Sequence, residues 1–414
     1  MNDSPRRVLF LSPFFHPEAI STGRYNTHLA RALAARGCAV EVVASHPLYP
    51  DWRPVFSDAT LPGIRIHRGG LRLRYPRANL PRRAVLEGWY FTHVLRQVRR
   101  LRSDVHGVVA VLPPMLFMPA LRSMLPGVPM VGVVHDIQGI MARSADSRVR
   151  RGAAVVIRAL ERRAFRACDQ LIALSRAMAG QLTEACGIPQ ARIRVHYPFV
   201  TTPPGDEAGT ALQALMPPDR RHVVYAGALG EKQRPFELLA FFQALCKLRP
   251  DVTCHVFSSG PLHEAIRRRN ESGGSPAIHF HGLVPDEQLP ELYARSTVQV
   301  IPQAEGTGAG AFPSKLPNLL QAGVPVFAIC DAASELARVL DETGAGMHVG
   351  GDDPHAWASS MAALLSRLEG EDRDARRARL SEYVARHFNI EHLVDDILAC
   401  FPHPAGLEGG RERR

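Results

Sequence analysis

The stretch EGTGAGAFPSKLPNLLQAGVPVF, residues 305–327, has the make-up of an anion receptor. Glycines at 306, 308 and 310 let the backbone approach a ligand closely. A helix is expected to begin near Pro313 or Ser314, because Pro317 has no amide hydrogen and is tolerated only in a first turn. The amides of Ser314, Lys315 and Leu316 would then donate to an outside acceptor, with the positive helix end behind them. Upstream, YAGALGEKQRPFELLAFFQAL carries Gly227 and Gly230, then Lys232 and Arg234 leading into a helix. FSSGPLHEAI places Gly260 and Pro261 at a similar junction, and HGLVPDEQLPELYARSTVQVIP follows it. Successive loops with glycine, cations and exposed amides suit a diphosphate. A different chemistry is offered by VVHDIQG, where His135 and Asp136 directly follow an apolar run. An imidazole and a carboxylate at a strand end can move a proton or balance developing charge.

Such residues need a frame that gathers strand ends. The first half offers strands RVLFLSP (7–13), AVEVVAS (39–45), VVAVLPP (108–114), PMVGVVHD (129–136), QLIALS (170–175) and IRVHYPF (193–199). Residues 22–37 read as a helix with Tyr25, Leu29, Ala32 and Leu33 on one face, stopped by Gly37. The second half offers HVVYAGA (222–228), VTCHVFSSG (252–260), AIHFHGL (277–283), TVQVIPQ (297–303) and VPVFAIC (324–330). Near-continuous Val/Ile runs separated by helices imply parallel strands covered on both faces. The fold class is therefore α/β, with two doubly wound, Rossmann-like domains. The Pro/Gly-rich stretch 200–220 is the expected joint between a domain at 1–200 and one at 201–385. Residues 386–414 supply an amphipathic helix, NIEHLVDDILACF, expected to pack back on the first domain, and a tail. Ligands of open parallel sheets bind beyond the carboxyl ends of the strands, so the expected site is a cleft between the two domains.

Composition narrows the function. The chain has 414 residues, 46% of them hydrophobic and 22% charged, which describes a globular protein of about two domains. Its apolar runs are broken by prolines and an arginine, so no membrane span is expected. The N-terminal MNDSPRRVLFLSPFF reads as a buried strand rather than a signal peptide, and the seven scattered cysteines read as reduced, so a cytoplasmic location is expected. The net charge of +10 comes almost wholly from arginine, much of it between residues 65 and 166, and implies an anionic partner. Only Gly23 stands where a dinucleotide fold would carry GxGxxG, and neither GxxxxGK[ST] nor GxSxG occurs. No basic recognition helix, RNA-binding aromatic signature or zinc spacing supports nucleic acid. The one DxD match, DRD at 372–374, falls in the polar EGEDRDARRARL and reads as a solvated helix face. No metal and no cofactor is expected.

Three pieces in this order, SPFFHPEAISTGRYNTHLARALAARGCAVEVVASHPLYP, YAGALGEKQ and FPSKLPNLLQAGVPVFA, carry a resemblance over nearly the whole chain. The sequence resembles the two-domain GT-B glycosyltransferases of family 4, and more closely the subgroup that builds bacterial exopolysaccharides, typified by colanic acid glycosyltransferases. The resemblance implies a nucleotide-sugar donor held by the C-terminal domain, an acceptor on the N-terminal domain, and transfer with retention at the anomeric carbon. It implies that Gly227 and Lys232 serve the diphosphate, with Arg234 a second cation. Ser314 and Lys315 would meet phosphates or sugar, Gly282 to Val284 would flank the base, and Gly23 would lie in a loop closing over the donor. It also brings His135 and Asp136 toward the transferred sugar.

Many relatives carry two glutamates eight positions apart before the equivalent of AGVPV, touching donor sugar and ribose. Aligned on Gly323, those places are Gly310 and Asn318. Asn318 can still bond a ribose hydroxyl, whereas Gly310 leaves the sugar to Lys315 or Glu305. In RRAVLEGWYFTHVLRQVRRLR (82–102), Trp89, Tyr90 and Phe91 sit among arginines, which suits a helix on an anionic inner-membrane surface. The acceptor would then be a polyprenyl-diphosphate-linked saccharide. Two rival readings stay open: a non-catalytic scaffold that binds nucleotide sugars, and a nucleotide-sugar 2-epimerase on the same fold.

Overall fold

Apolar strands joined by helices pair in parallel here, and the chain does this twice. The computed structural model describes residues 5–18, 20–48, 51–76, 78–137, 148–202, 209–308 and 312–401. It divides into one unit running to Pro198 and resuming at Asn389, and another spanning Phe199–Phe388. Gly310 lies outside the described residues.

The first unit holds β1 (Arg7–Leu11), β2 (Ala39–Ser45), β3 (Ile64–Gly69), β4 (Gly107–Leu112), β5 (Met130–Val134), β6 (Gln170–Ala173) and β7 (Ile193–Val195). All pairings are parallel, in the order β3-β2-β1-β4-β5-β6-β7. The chain doubles back between β1 and β4, which opens a crevice at their carboxyl ends. Between the strands run α1 (Ser21–Ala35), α2 (Asn79–Leu101), α3 (Met118–Met124), α4 (Arg148–Ala167) and α5 (Arg176–Glu184). Gly37, at φ 81°, ends α1, with its own amide on Ala34 and that of Cys38 on Leu33. Tyr25, Leu29 and Leu33 of α1 are buried as expected, but Ala30 takes the place of Ala32, which is half-buried.

Two expectations fail in this unit for the same reason: charge in the sequence hides packing. IRIHRG is strand β3, at the sheet edge, although it reads as part of a basic run. Buried Glu41 of β2 gathers Arg7, Arg65 and His67 at 3.2, 3.1 and 2.7 Å, so some of the positive charge is neutralised inside. Likewise Tyr90 of α2 is fully buried, its hydroxyl donating to the Val43 carbonyl and its ring edge-on to Phe117. Trp89 packs beside Leu48, Tyr75 and Leu86. Tyr90 is thus an interior residue, while Trp89 and Phe91 are half-buried.

The second unit holds β8 (Arg221–Ala226), β9 (Val252–Phe257), β10 (Ile278–His281), β11 (Val298–Pro302), β12 (Val326–Ile329) and β13 (Gly346–Val349), parallel in the order β10-β9-β8-β11-β12-β13. The short β13 was not anticipated from sequence, having only Met347 and Val349 as apolar members. Its helices are α6 (Pro235–Leu248), α7 (Pro261–Glu271), α8 (Leu289–Arg295), α9 (Leu316–Gln321), α10 (Glu335–Thr343), α11 (Pro354–Arg367) and α12 (Arg373–His387). Helices α6 and α11 cover one face, where Phe241 stacks on Phe327 at 5.6 Å and meets Trp357 edge-on. Asp372 caps α12, its carboxylate accepting the Asp374 amide at 2.9 Å.

A row of histidines crosses this sheet. His222 of β8, His255 of β9 and His281 of β10 are linked Nδ1 to Nε2 at 3.0 and 3.1 Å. The Pro217 carbonyl, 2.7 Å from His222 Nε2, can only accept, so that nitrogen carries the proton. His222 Nδ1 must then accept from His255 Nε2–H, and His255 Nδ1 from His281 Nε2–H. Burial lowers all three, His281 to about 4 and His255 to about 2, so the rings are neutral near pH 7.

The last helix, α13 (Ile390–Ala399), belongs to the first unit. Arg36 at the end of α1 pairs with Glu391 and Asp395, and His196 meets Asp396 at 2.7 Å. Among the described residues no helix is long and apolar enough to cross a membrane.

Candidate active site

Each sheet presents polar side chains at its carboxyl edge. In the second unit that edge gathers the ends of four adjacent strands, β10, β9, β8 and β11. Gly227 follows β8 with φ 138°, a conformation open to glycine, and nothing lies within 4 Å of where a Cβ would stand. Lys232 sits on a 3-10 turn, Glu231–Gln233, whose Lys232 carbonyl accepts the Ala304 amide at 2.8 Å. That bond ties the lysine to the end of β11, while its ammonium has no partner among the described residues. Gly282 and Val284 lie in the open loop after β10, Gly282 exposed and Val284 half-buried.

Three side chains that the sequence did not single out complete this edge. The hydroxyls of Ser258 and Ser259, just past β9, and the Oε1 of Gln303, just past β11, are buried with no hydrogen-bond partner among the described residues. Buried polar atoms are nearly always paired, and these three stand beside a glycine turn and an unpaired ammonium. The signal in sequence was SSG and IPQ, polar residues at the exit of apolar runs.

Lys315 reaches the same edge differently from the expectation. Its ammonium donates to the carbonyls of Val300 and Ala226, at 2.9 and 3.3 Å, and lies 4.7 Å above the Tyr225 ring. It therefore bridges the ends of β8 and β11. Burial lowers its pKa to about 7. Of the three lysines in the chain, Lys232, Lys247 and Lys315, two stand at this edge.

Four expected site residues have a different local setting from the one expected. Helix α9 starts at Leu316, later than the expected Pro313 or Ser314, and has six residues. The Leu316 amide is bound to the Pro313 carbonyl at 3.1 Å, which leaves Ser314 on an exposed turn ahead of the helix. Asn318 is buried, and its side-chain carbonyl accepts from the amides of Thr201 and Thr202 at 2.7 and 3.0 Å while its amide reaches Thr201 Oγ1. It anchors the chain entering this unit and has no carbonyl lone pair left for a ribose. Arg234, at φ 50°, pairs with Asp352, donates to the Gly351 carbonyl and lies 4.7 Å over Trp357. Its charge is turned onto α11 and the loop before it. In the first unit Gly23 lies in the first turn of α1, not in a loop, where a Cβ would come within 2.9 Å of Glu18.

At the carboxyl edge of the first sheet, His135 and Asp136 follow β5 as expected. The His135 ring stands edge-on to Tyr25 of α1 at 4.8 Å, and its Nε2 is buried with no partner among the described residues. Burial lowers its pKa to about 4, so it is a neutral hydrogen-bonding group. Asp136 has one oxygen 3.6 Å from Arg83 of α2, a partner the sequence did not reveal, and the other buried with no partner among the described residues.

Residues 22–204 match Glycosyltransferase Family 4, and residues 220–367 match Glycosyl transferases group 1. The chain is a glycosyltransferase of two such domains, the first of them a family 4 domain. Among curated relatives, this glycosyltransferase is 22% identical over 366 residues to the colanic acid biosynthesis glycosyl transferase WcaI of Escherichia coli (strain K12), covering 83% of this chain and 88% of that one. Among solved structures it is similar to WaaG, a glycosyltransferase involved in lipopolysaccharide biosynthesis, with a TM-score of 0.70, 16% identity, and coverage of 94% and 99%. It is also similar to Anabaena Alr3699/HepE, solved in complex with UDP and glucose, with a TM-score of 0.66, 16% identity, and coverage of 95% and 98%. The glycosyltransferase thus has the GT-B architecture of two doubly wound units.

Proposed function

We propose that this glycosyltransferase moves a sugar from a nucleoside-diphosphate donor, with retention and without a metal, to a polyprenyl-diphosphate-linked saccharide in surface-polysaccharide synthesis. The observation that carries the proposal is the convergence of Gly227, Lys232, Ser258, Ser259, Gln303 and Lys315 at one sheet edge, where the Lys232 ammonium and the Ser258 and Ser259 hydroxyls are donors without a partner among the described residues. The solved relative with UDP and the curated relative named for colanic acid favour this donor class and this pathway type.

Breaking a sugar–phosphate bond builds negative charge on the diphosphate while the sugar becomes cation-like. Groups fixed where that charge develops lower the barrier. A helix end supplies about 0.3–1 kcal/mol when exposed. A charged hydrogen bond supplies about 1.5–3 kcal/mol, so in this reading Lys232 is the main counter-charge. Lys315, poised near neutrality, gains its proton as the anion arrives. His135, neutral, bonds a sugar hydroxyl. Asp136 faces the positive sugar or takes the acceptor proton.

The acceptor side rests on unit-one surface chemistry. Val55, Phe56, Leu71 and Leu73 are exposed among Arg53, Arg65, Arg72 and Arg74, and the Arg72 guanidinium lies 5.8 Å over Phe56. Exposed apolar side chains within a basic surface suit the inner face of an anionic bilayer. The decisive measurement is release of nucleoside diphosphate from a panel of nucleotide sugars, with and without lipid-linked acceptor. Release that requires acceptor supports the enzyme, binding without release supports the scaffold, and sugar inversion without acceptor supports the epimerase.

A further inference from the structure

The opposite edge of the second sheet, at the amino ends of its strands, holds a cavity of about 630 Å³. It is remote in the fold from the strand ends described above, since its walls come from the approaches to β8, β11 and β12 and from the start of α12. Four of its lining residues are arginines, Arg220, Arg295, Arg373 and Arg376, and one, Glu371, is acidic.

These arginines are held in place by the main chain. Arg220 donates to Thr253 Oγ1 and the Pro250 carbonyl, Arg295 to the carbonyls of Gly209 and Met216, Arg373 to that of Ala294, and Arg376 to that of Gly323 at 2.9 Å. Two carboxylates answer them: Glu291 pairs with Arg295 at 2.7 Å, and Glu371 with Arg376 at 2.9 Å. Arg295 and Arg376 are thus each paired with a carboxylate, whereas Arg220 meets only neutral acceptors among the described residues. Among the described residues Arg220 Nη1 and Arg376 Nη2 have no acceptor, and Arg376 is 7% exposed. A buried guanidinium with an unused N–H is a site for an oxyanion, because its planar fork matches phosphate or carboxylate geometry. The remaining wall mixes Ser296 and Thr297 with Met216, Val324 and Leu368, and the volume is that of a small-molecule pocket.

We propose that this cavity is a second ligand site, distinct from the donor site, that takes a small organic phosphate such as a phosphorylated sugar or polyol. The phosphate meets Arg220, Arg373 and Arg376, and the hydroxyls meet Ser296 and Thr297. His222 lines the same wall and reports on it. Its pKa is lowered by burial, opposed by the Pro217 carbonyl, and lowered further by Arg220 and Arg295 while Asp219 pulls it up. An anion bound at Arg220 offsets that arginine's repulsion and raises it.

The test follows the His222 ring by NMR in the full chain, assigned by loss of its signals in His222→Gln. Inorganic phosphate and then glucose 6-phosphate are titrated at constant ionic strength, with chloride as the control. The site predicts a saturable shift of His222 and a raised apparent pKa. It predicts at least tenfold weaker binding in Arg220→Glu, whose position is exposed, with unchanged melting temperature, and no weakening in Lys232→Ala. Shifts that chloride reproduces, or that Arg220→Glu leaves intact, overturn the proposal. If Arg220→Glu melts early, Arg220→Ala replaces it with the same criteria. Because Lys232→Ala leaves this site untouched, the fate of the donor reading does not decide the outcome.

Discussion

The carboxyl edges of the two sheets are built from the same strand–loop–helix grammar, yet they treat charge in opposite ways. At the first, the charges are met by charges or carbonyls: Arg83 faces Asp136, Glu18 holds the Leu48 amide, and Arg68 donates to the carbonyls of Ser45, His16 and Ala59, while His135 Nε2 and one Asp136 oxygen are buried with no partner among the described residues. His135 is neutral there. At the second, an ammonium and three buried polar atoms await partners. The unpartnered groups of the first edge, a neutral imidazole nitrogen and a carboxylate oxygen, suit hydroxyl groups, whereas the unpaired ammonium and two hydroxyls of the second suit an anion that arrives already charged. Acceptor on the first and donor on the second is the division of labour this contrast supports.

The contrast can be broken experimentally. The largest effect is expected from Asp136→Asn, which should lower transfer by about a hundredfold or more while donor affinity, read by calorimetry, stays within twofold. Equal loss of both would move Asp136 from chemistry to binding. Lys232→Ala should weaken nucleoside-diphosphate binding by roughly tenfold or more, the value of one charged hydrogen bond, with transfer falling in step. An unchanged dissociation constant would remove it from the site.

Acid should act unevenly on the two units. His135 at about 4 in the first, and His281 at about 4 with His255 at about 2 in the second, stay neutral when folded but bind protons below about 6.5 when unfolded. Stability is therefore full above that value and falls as pH drops from 6.5 toward 4. Burial also lowers His16, His46 and His93 in the first unit and His222 and His263 in the second, and hydrogen exchange at pH 7 and pH 5, corrected for intrinsic rates, should show protection falling most around His135, His255 and His281. The smallest effect belongs to Arg234→Ala, about 1 kcal/mol of stability from an ion pair and a ring contact, with no change in nucleotide affinity. A drop in affinity would return Arg234 to the donor site.

Much of the fold was legible because buried parallel strands are written as unbroken apolar runs. AVEVVAS became β2 from Ala39 to Ser45, and QLIALS became β6. Strand β3 escaped because its partners for Arg65 and His67 lie on β2, at Glu41, far away in sequence. The site was legible where a backbone property is encoded locally, as at Gly227. It was not legible where a side chain chooses among distant partners. Nothing near Asn318 announces Thr201, and nothing near Arg234 announces Asp352. Ser258 and Ser259 were visible only as residues next to a glycine, since their isolation is a fact of packing.

The row of imidazoles has a consequence of its own. Because His222, His255 and His281 all point their protons one way, a proton landing on the outer nitrogen of His281 needs two short hops to leave its charge on His222. The rings need not move. The row thus runs as one continuous set of hydrogen bonds from near the amino end of β8 to the carboxyl end of β10.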